Sequence, residues 1–284
     1  MLNSTLEITT MIGCPLKCNF CPQDSLRDAY GKTDDKYMTL DTFKNIIDKL
    51  PDQYRIDFSG MSEPWVNPGC TDMLQYCFEK GRRVAVYTTL YDWTRADVDR
   101  VAELLVEYPH LVENFSIHFP DEYGNMRGWK YTEDWEYAFR VLIQVLQLAE
   151  IKHEAMTMSN RGEVHEDLKH LNVKLWNWVG HDRAGSLPLD QVKDKPINIA
   201  PRHAHPVRCG KTARYDQNVV LPNGDVALCC MDYDLKHKLG NLNTQTMEEI
   251  RQGDTFKNIL KENAQDRFST DSLCRTCTDA VLQR

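Results

Sequence analysis

Short β-like apolar runs alternate with segments of helical periodicity over the first 180 residues of the chain. The β-like runs predict strands at residues 6–11, 55–59, 83–88, 114–119, 153–158 and 173–178. The periodic segments predict helices at residues 40–50, 72–80, 96–108 and 133–151, and a short turn near 166–171. This alternation is typical of a parallel sheet with right-handed crossovers, and six units are fewer than a closed eight-stranded barrel needs. The pattern therefore predicts an α/β fold that forms an open or partial (β/α)6 TIM-like barrel.

The sequence changes in character after residue 187. Prolines at 188, 196, 201 and 206 predict an extended linker, and Asn223-Gly224 between apolar runs predicts a β-hairpin with strands at 218–222 and 225–228. Helices are predicted near 246–252 and 255–262. We expect a barrel over residues 1–187, a linker over 188–208, and a small C-terminal domain of hairpin plus helix over 209–284.

Composition excludes several classes of protein. Among 284 residues, 42% are hydrophobic and 27% are charged, as in ordinary globular proteins. A net charge of −8 argues against binding to nucleic acid, and no apolar run approaches the length of a membrane span. The N-terminus lacks the pattern of a secretory signal, so we expect a cytoplasmic location.

Ten cysteines set this chain apart from an ordinary globular protein. Without an export signal, clustered cysteines indicate metal or redox chemistry rather than disulfides. Cys70 and Cys77 are far from the other cysteines in sequence and are interpreted as small buried hydrophobic residues.

Cys14, Cys18 and Cys21 form a CxxxCxxC motif directly after the first predicted strand. Ligands bind at the carboxyl ends of strands in α/β folds. Three thiolates can hold three irons of a four-iron cluster, which leaves the fourth iron open for catalysis. The alternative is a zinc site that a distant histidine completes.

This motif, with the aromatic Phe20 before its third cysteine, resembles the hallmark of the radical S-adenosylmethionine superfamily. The resemblance implies a partial barrel in which Cys14, Cys18 and Cys21 bind a [4Fe–4S] cluster. The open iron would chelate S-adenosylmethionine, and one-electron reduction would yield a 5′-deoxyadenosyl radical that takes a hydrogen atom from the substrate. A low-potential flavodoxin or ferredoxin would supply the electron.

Further residues resemble the cofactor contacts of that family. Ser59-Gly60-Met61-Ser62-Glu63-Pro64 is similar to a GGE-type motif, which implies that Gly60, Ser62 and Glu63 bind the cofactor, Glu63 through its ammonium group. Ser116 and His118 occupy the region of the ribose contacts, and Thr88-Thr89 is similar in position to a TNG-type turn. The apolar-glycine motif expected near the fifth strand is not recognisable.

Arg183 lies in Asp182-Arg-Ala-Gly185, which resembles a segment of radical enzymes that carry a C-terminal cluster domain. Its planar guanidinium suits a carboxylate, so we expect Arg183 to hold the cofactor carboxylate or to polarise the substrate. The competing interpretation is a surface-loop arginine.

A second set of thiolates comprises Cys209, Cys229, Cys274 and Cys277, a closed set for one metal centre. The segment resembles the start of a SPASM domain but ends after its CxxC, as in the shortened form called a twitch domain, which implies one auxiliary [4Fe–4S] cluster. A zinc ribbon-like site is the alternative. Cys230 is an alternative ligand to Cys229, although the spacing from Gly224 favours Cys229.

We therefore expect a radical S-adenosylmethionine enzyme with an auxiliary cluster. The twitch-like resemblance points to oxidation of an alcohol of a sugar-like small molecule. The second candidate reaction is peptide modification, by thioether formation or by epimerisation with Cys230 as hydrogen donor. The first strand is expected at residue 6, which leaves no room for a leader-recognition domain before it and so disfavours peptide modification. A non-enzymatic iron–sulfur or zinc relay is the alternative of another class. Arg183, His118 and Cys230 are the candidate catalytic residues.

Overall fold

A computed structural model describes residues 4–33, 35–157, 163–176, 180–187, 189–193, 199, 202–212, 214–266 and 272–283. The described helices follow the predicted order. They are α1 (Gln23–Tyr30), α2 (Leu40–Lys49), α3 (Cys70–Glu79), α4 (Arg95–Glu107), α5 (Glu133–Leu148), α6 (Met247–Gln252) and α7 (Asp254–Asn263). Capping boxes start two of them, Thr94 with Asp97 at α4 and Thr246 with Glu249 at α6.

The described strands form one large sheet and two small ribbons. They are β1 (Thr5–Ile8), β2 (Lys17–Cys18), β3 (Arg55–Phe58), β4 (Val84–Thr88), β5 (Val112–Phe119), β6 (Met126–Arg127), β7 (His153–Thr157), β8 (Val207–Cys209), β9 (Gln217–Val220), β10 (Asp225–Ala227), β11 (Lys238–Asn241) and β12 (Ala280–Leu282). The large sheet has the order β11-β10-β9-β1-β3-β4-β5-β7 and is parallel from β9 to β7. This largely parallel α/β sheet with small antiparallel C-terminal strands confirms the predicted fold class.

Strand alternation separates the core from the site. On β5, Phe115, Ile117 and Phe119 are almost fully buried in the hydrophobic core that the sheet shares with the helices. Successive side chains of a strand point to opposite faces, so Ser116 and His118 lie on the inner face of the sheet. The inner face at the carboxyl ends of the strands is therefore polar, and there the functional residues gather.

Two details differ from the sequence-based expectations. The predicted sixth strand, 173–178, is not a strand at residues 173–176, where the Trp176 N–H donates to the Ala155 carbonyl at 2.7 Å; residues 177 and 178 lie outside the described residues. The C-terminal hairpin, expected in a separate small domain, instead joins the large sheet, with β9 parallel to β1. The periodicity of apolar residues identifies a strand but not the neighbouring strand with which it pairs.

Helix α1 is not among the helices that the sequence predicts. It follows directly on the cysteine motif and buries Gln23, Leu26 and Tyr30. Its eight residues give too short a periodic signal to separate from a loop. The predicted turn near 166–171 is a 3-10 helix, Glu166–Leu171.

Four further 3-10 helices of three or four residues are described: Pro64–Val66, Pro109–Leu111, Leu189–Gln191 and Leu273–Thr276.

Cys70 and Cys77 are fully buried on α3, as their interpretation as small hydrophobic residues predicts. In the part of the chain that the structure describes, none of the helices combines the length and the apolar character needed to cross a bilayer.

Candidate functional site

The three cysteines of the CxxxCxxC motif share one cavity of about 140 Å³ at the carboxyl ends of the parallel strands, which we call the first cavity. Its lining brings together most of the predicted cofactor residues: Cys14, Cys18, Phe20, Cys21, Gly60, Ser62, Glu63, His118 and Arg183. The rest of the wall is formed by Leu16, Gln23, Ser59, Met61, Tyr87, Thr88, Thr89, Met126 and Tyr233. Ser116 is fully buried and does not line the first cavity.

The three cysteines of the motif are partly buried. Burial raises the pKa of Cys14 to about 12 and raises the pKa of Cys18 well above its ordinary value. Metal binding must displace such protons, because the thiolate is the ligand. Each iron of a four-iron cluster takes one cysteine, so the cysteines that bind such a cluster are spread around it and do not converge on a single metal ion. Among the described residues, no three His, Cys, Asp or Glu side chains are placed to hold a single metal ion.

Unpartnered polar atoms in the first cavity fit a polar ligand. Gln23 Oε1, Ser62 Oγ and Arg183 Nε line it, are buried, and have no hydrogen-bond partner among the described residues. Buried polar groups are normally hydrogen-bonded, so these atoms are free to bind a ligand such as S-adenosylmethionine. The residues present therefore fit the cofactor that the sequence motif implies.

Glu63 is held by the turn that follows β4. Its carboxylate accepts hydrogen bonds from Thr88 Oγ1 at 2.5 Å and from the backbone N–H and the hydroxyl of Thr89, both at 2.7 Å. Burial nevertheless raises the pKa of Glu63 to about 7. A cationic ligand in the first cavity would favour the ionised form.

Gly60 allows the segments that follow β1 and β3 to pack closely together. It has φ +62°, and a Cβ at this position would lie 2.5 Å from Thr9 Oγ1 and 2.7 Å from the Thr9 backbone nitrogen. The Thr9 hydroxyl in turn accepts from the Met61 N–H at 3.1 Å. The glycine that the resemblance assigns to cofactor binding thus also allows the loop after β3 to pack on the end of β1.

His118 and Arg183 both line the first cavity. Burial, with the added charge of Arg183, lowers the pKa of His118 to about 4, so the ring is neutral at pH 7. Arg183 and Ala184 have φ of 52° and 54°, a left-handed conformation that non-glycine residues adopt at a cost of about 1 kcal/mol or more each. Backbone strain of this kind concentrates at functional sites.

The four cysteines predicted to bind the auxiliary cluster line a second cavity of about 50 Å³, together with Glu7, Lys211 and Cys230. Pairing of β12 with β8 places Ala280 opposite Cys209, and the 3-10 turn Leu273–Thr276 carries Cys274. Burial raises the pKa of Cys229 and Cys274, and raises that of Cys277 to about 12. The structure thus brings together all four predicted auxiliary ligands.

The adjacent cysteines 229 and 230 have different neighbours. Cys229 is near Cys274 and Cys277, as expected for members of one ligand set, and also near Cys230. Cys230 is instead next to Glu7, Lys211 and Arg183. This arrangement favours the prediction of Cys229 as the ligand and leaves Cys230 outside that set, hydrogen-bonded to Glu7.

Glu7 is a residue that the sequence reasoning missed. It lines the second cavity, and its Oε2 lies 3.4 Å from the hydroxyl of Ser59, which lines the first cavity. Burial, with the nearby charge of Asp57, raises the pKa of Glu7 to about 7. The available signal was a single acid within the otherwise buried strand β1, between Leu6 and Ile8.

Comparison with known proteins finds two families that match the chain. Residues 8–171 match the radical SAM superfamily, and residues 209–278 match SPASM, an iron–sulfur cluster-binding domain. No curated protein matches the chain.

Several solved structures share the fold. BtrN in complex with AdoMet and 2-DOIA has a TM-score of 0.61 and 19% identity, covering 98% of this chain and 94% of that chain. Native anSMEcpe with bound AdoMet has a TM-score of 0.54 and 13% identity, covering 96% of this chain and 86% of that chain. Streptococcus suis SuiB bound to precursor peptide SuiA has a TM-score of 0.51 and 14% identity, covering 97% of this chain and 71% of that chain.

The superfamily match covers more than half of the sequence and includes the CxxxCxxC loop. The SPASM match begins at Cys209 and includes the other four cysteines that line the second cavity. Both domains bind [4Fe–4S] clusters, and the first uses S-adenosylmethionine. The chain therefore belongs to the radical SAM superfamily and carries a C-terminal SPASM domain.

Proposed function

We propose that this enzyme oxidises an alcohol of a sugar-like small molecule, with one cluster in the first cavity and one auxiliary cluster in the second. When bound and reduced, the first cluster and S-adenosylmethionine supply a 5′-deoxyadenosyl radical that removes a hydrogen atom from the substrate. Cys14, Cys18 and Cys21 hold the first cluster, and Cys209, Cys229, Cys274 and Cys277 hold the second. A low-potential flavodoxin or ferredoxin is the proposed reductant.

The observation that carries this proposal is the polar wall between the two cavities. Ser59 on the first cavity lies 3.4 Å from Glu7 on the second, and Arg183 Nη1 on the first donates to the Cys230 carbonyl on the second at 3.4 Å. A substrate in the first cavity, against this wall, would lie close to both cysteine sets. A structural clamp at the C-terminus would not require such an arrangement.

Oxidation of an alcohol to a ketone removes one hydrogen atom, one proton and one further electron. Burial and Asp57 bring the pKa of Glu7 to about 7, so its carboxylate is suited to accept the hydroxyl proton at neutral pH. An auxiliary cluster held by Cys209, Cys229, Cys274 and Cys277 would supply the acceptor for the further electron, which would balance the oxidation. Glu63 and Arg183 would hold the ammonium and carboxylate groups of the cofactor, and neutral His118 would contact its ribose.

A panel of small molecules tests the reaction class. Reduced enzyme and S-adenosylmethionine are incubated with polyhydroxylated compounds, including the 2-DOIA with which BtrN was crystallised. Substrate-dependent 5′-deoxyadenosine formation, with loss of two hydrogens from the substrate, supports the proposal. Turnover of peptides alone would contradict it.

Peptide modification is the second candidate. The free thiol of Cys230 next to Glu7 favours it, because epimerisation needs a hydrogen donor near the substrate. SuiB bound to its precursor peptide and anSMEcpe bound to AdoMet share the fold. Deuterium incorporated from heavy water at a substrate carbon would favour epimerisation, and its absence with loss of two hydrogens would favour oxidation.

A further inference from the structure

Tyr233 connects the SPASM domain to the first cavity. It follows the adjacent cysteines 229 and 230 by a few residues, yet it lines the first cavity rather than the second. Its side chain is only 2% exposed and packs in a small apolar cluster that includes Ile12, Leu26 and Met61. The guanidinium of Arg183 lies 5.4 Å from the centre of its ring.

The hydroxyl of Tyr233 lies 3.3 Å from Cys21 Sγ. Buried tyrosine hydroxyls require a hydrogen-bond partner. As a metal ligand, Cys21 is a thiolate without a proton, so the tyrosine hydroxyl is the donor of this pair. Gln23 Nε2 makes a second contact with the same sulfur at 3.2 Å and is fixed by a hydrogen bond to the Met61 carbonyl at 2.6 Å.

The loop that carries Tyr233 is fixed by hydrogen bonds. The Asp232 carboxylate accepts from the backbone N–H groups of Lys236 and His237, both at 2.9 Å. The Asp232 N–H donates to the carbonyl of Cys229, a predicted ligand in the second cavity, at 3.1 Å. A single rigid loop thus holds a ligand of one metal site and a hydrogen-bond donor to the other.

We propose that Tyr233 is a positioning residue by which the SPASM domain sets the reduction potential of the first cluster. Hydrogen bonds to cluster sulfurs stabilise the reduced, more negative state and therefore raise the potential. This inference rests on the proposed role of Cys21 as a ligand. It gives the SPASM domain an effect on cofactor cleavage that is separate from any electron transfer through the auxiliary cluster.

Redox titration of the reconstituted holoenzyme, followed by electron paramagnetic resonance, tests the proposal. The first cluster is identified as the signal that changes when S-adenosylmethionine is added. We expect Tyr233→Phe to shift the midpoint potential of this cluster to more negative values and to leave that of the auxiliary cluster unchanged. Tyr30→Phe is the matched control, because Tyr30 lies in the same apolar cluster but donates to the Asp35 carbonyl at 2.7 Å.

Pulsed electron paramagnetic resonance in heavy water provides a second measurement, which detects exchangeable protons near the first cluster and can be made on the unaltered protein. We expect exchangeable protons to couple to the first cluster, and one of these couplings to be lost in Tyr233→Phe. An unchanged potential with unchanged couplings would overturn the inference while leaving the ligand set intact. If Cys21→Ala retains the signal of the first cluster, the ligand set itself is wrong and the inference fails with it.

Discussion

Thr89 donates two hydrogen bonds to one carboxylate oxygen of Glu63, from its backbone N–H and from its hydroxyl, each at 2.7 Å. The turn after β4 therefore orients the acid that follows β3, and the carboxylate faces the first cavity as a preformed acceptor. Two segments that are distant in sequence but neighbours in the sheet thus form one part of the site.

Replacing Glu63 by Gln should weaken cofactor binding. The variant keeps the size of the side chain but loses the charge that pairs with a cofactor ammonium, an interaction worth about 1.5–3 kcal/mol, or about tenfold to a hundredfold in affinity. Equilibrium dialysis of S-adenosylmethionine against the reconstituted protein measures the loss. Glu154→Gln is the control, since Glu154 lies outside the first cavity; equal affinities of the two variants would contradict the assignment.

Replacing Glu7 by Gln should change the pH dependence of stability. Burial raises the pKa of Glu7 from 4.5 to about 7, so the folded chain keeps a proton that the unfolded chain releases above pH 4.5. The free energy of unfolding therefore loses a contribution as the pH rises between these values, about 2 kcal/mol after allowance for solvent screening. Urea unfolding of the metal-free protein should show Glu7→Gln gaining stability relative to the parent over this window. A difference that does not vary with pH would refute the predicted environment of Glu7.

The neighbouring cysteines 229 and 230 should differ in their effect on iron content. Cys229→Ser removes a proposed ligand and should lower the iron bound per chain by about the content of one four-iron cluster. Cys230→Ser should retain all of the iron, because its thiol lies next to Glu7 and Lys211. Iron analysis after anaerobic reconstitution distinguishes the two variants, and the reverse pattern would assign the ligand to Cys230.

Replacing Arg275 by Met should destabilise the C-terminal segment. Arg275 is 2% exposed, and its guanidinium donates to the carbonyls of His203, His205, Glu262 and Gln265. These hydrogen bonds are part-buried, and each carbonyl that loses its donor and that water does not reach costs about 1–3 kcal/mol. Limited proteolysis should cleave the variant within the C-terminal segment while the barrel resists. Unchanged resistance of that segment would show that water replaces the guanidinium.

Much of this architecture could be predicted because its signals are local. The alternation of elements and the Asn223-Gly224 hairpin are visible over a few residues, and the spacing of the cysteines indicates which thiols belong together. Gly60 was assigned to the cofactor, but its contact with Thr9 depends on how two loops pack. The parallel pairing of β9 with β1 is likewise long-range and leaves no periodic signal. Glu7 and Tyr233 acquire their roles only through neighbours from distant parts of the chain.

The most direct test of the account is the formation of 5′-deoxyadenosine by reduced, reconstituted protein supplied with S-adenosylmethionine. We predict that the unaltered chain forms it and that Cys18→Ala does not, although Cys18→Ala retains the auxiliary cluster in the second cavity. An unaltered chain that carries its full iron yet forms no 5′-deoxyadenosine would contradict the account and favour a non-enzymatic relay.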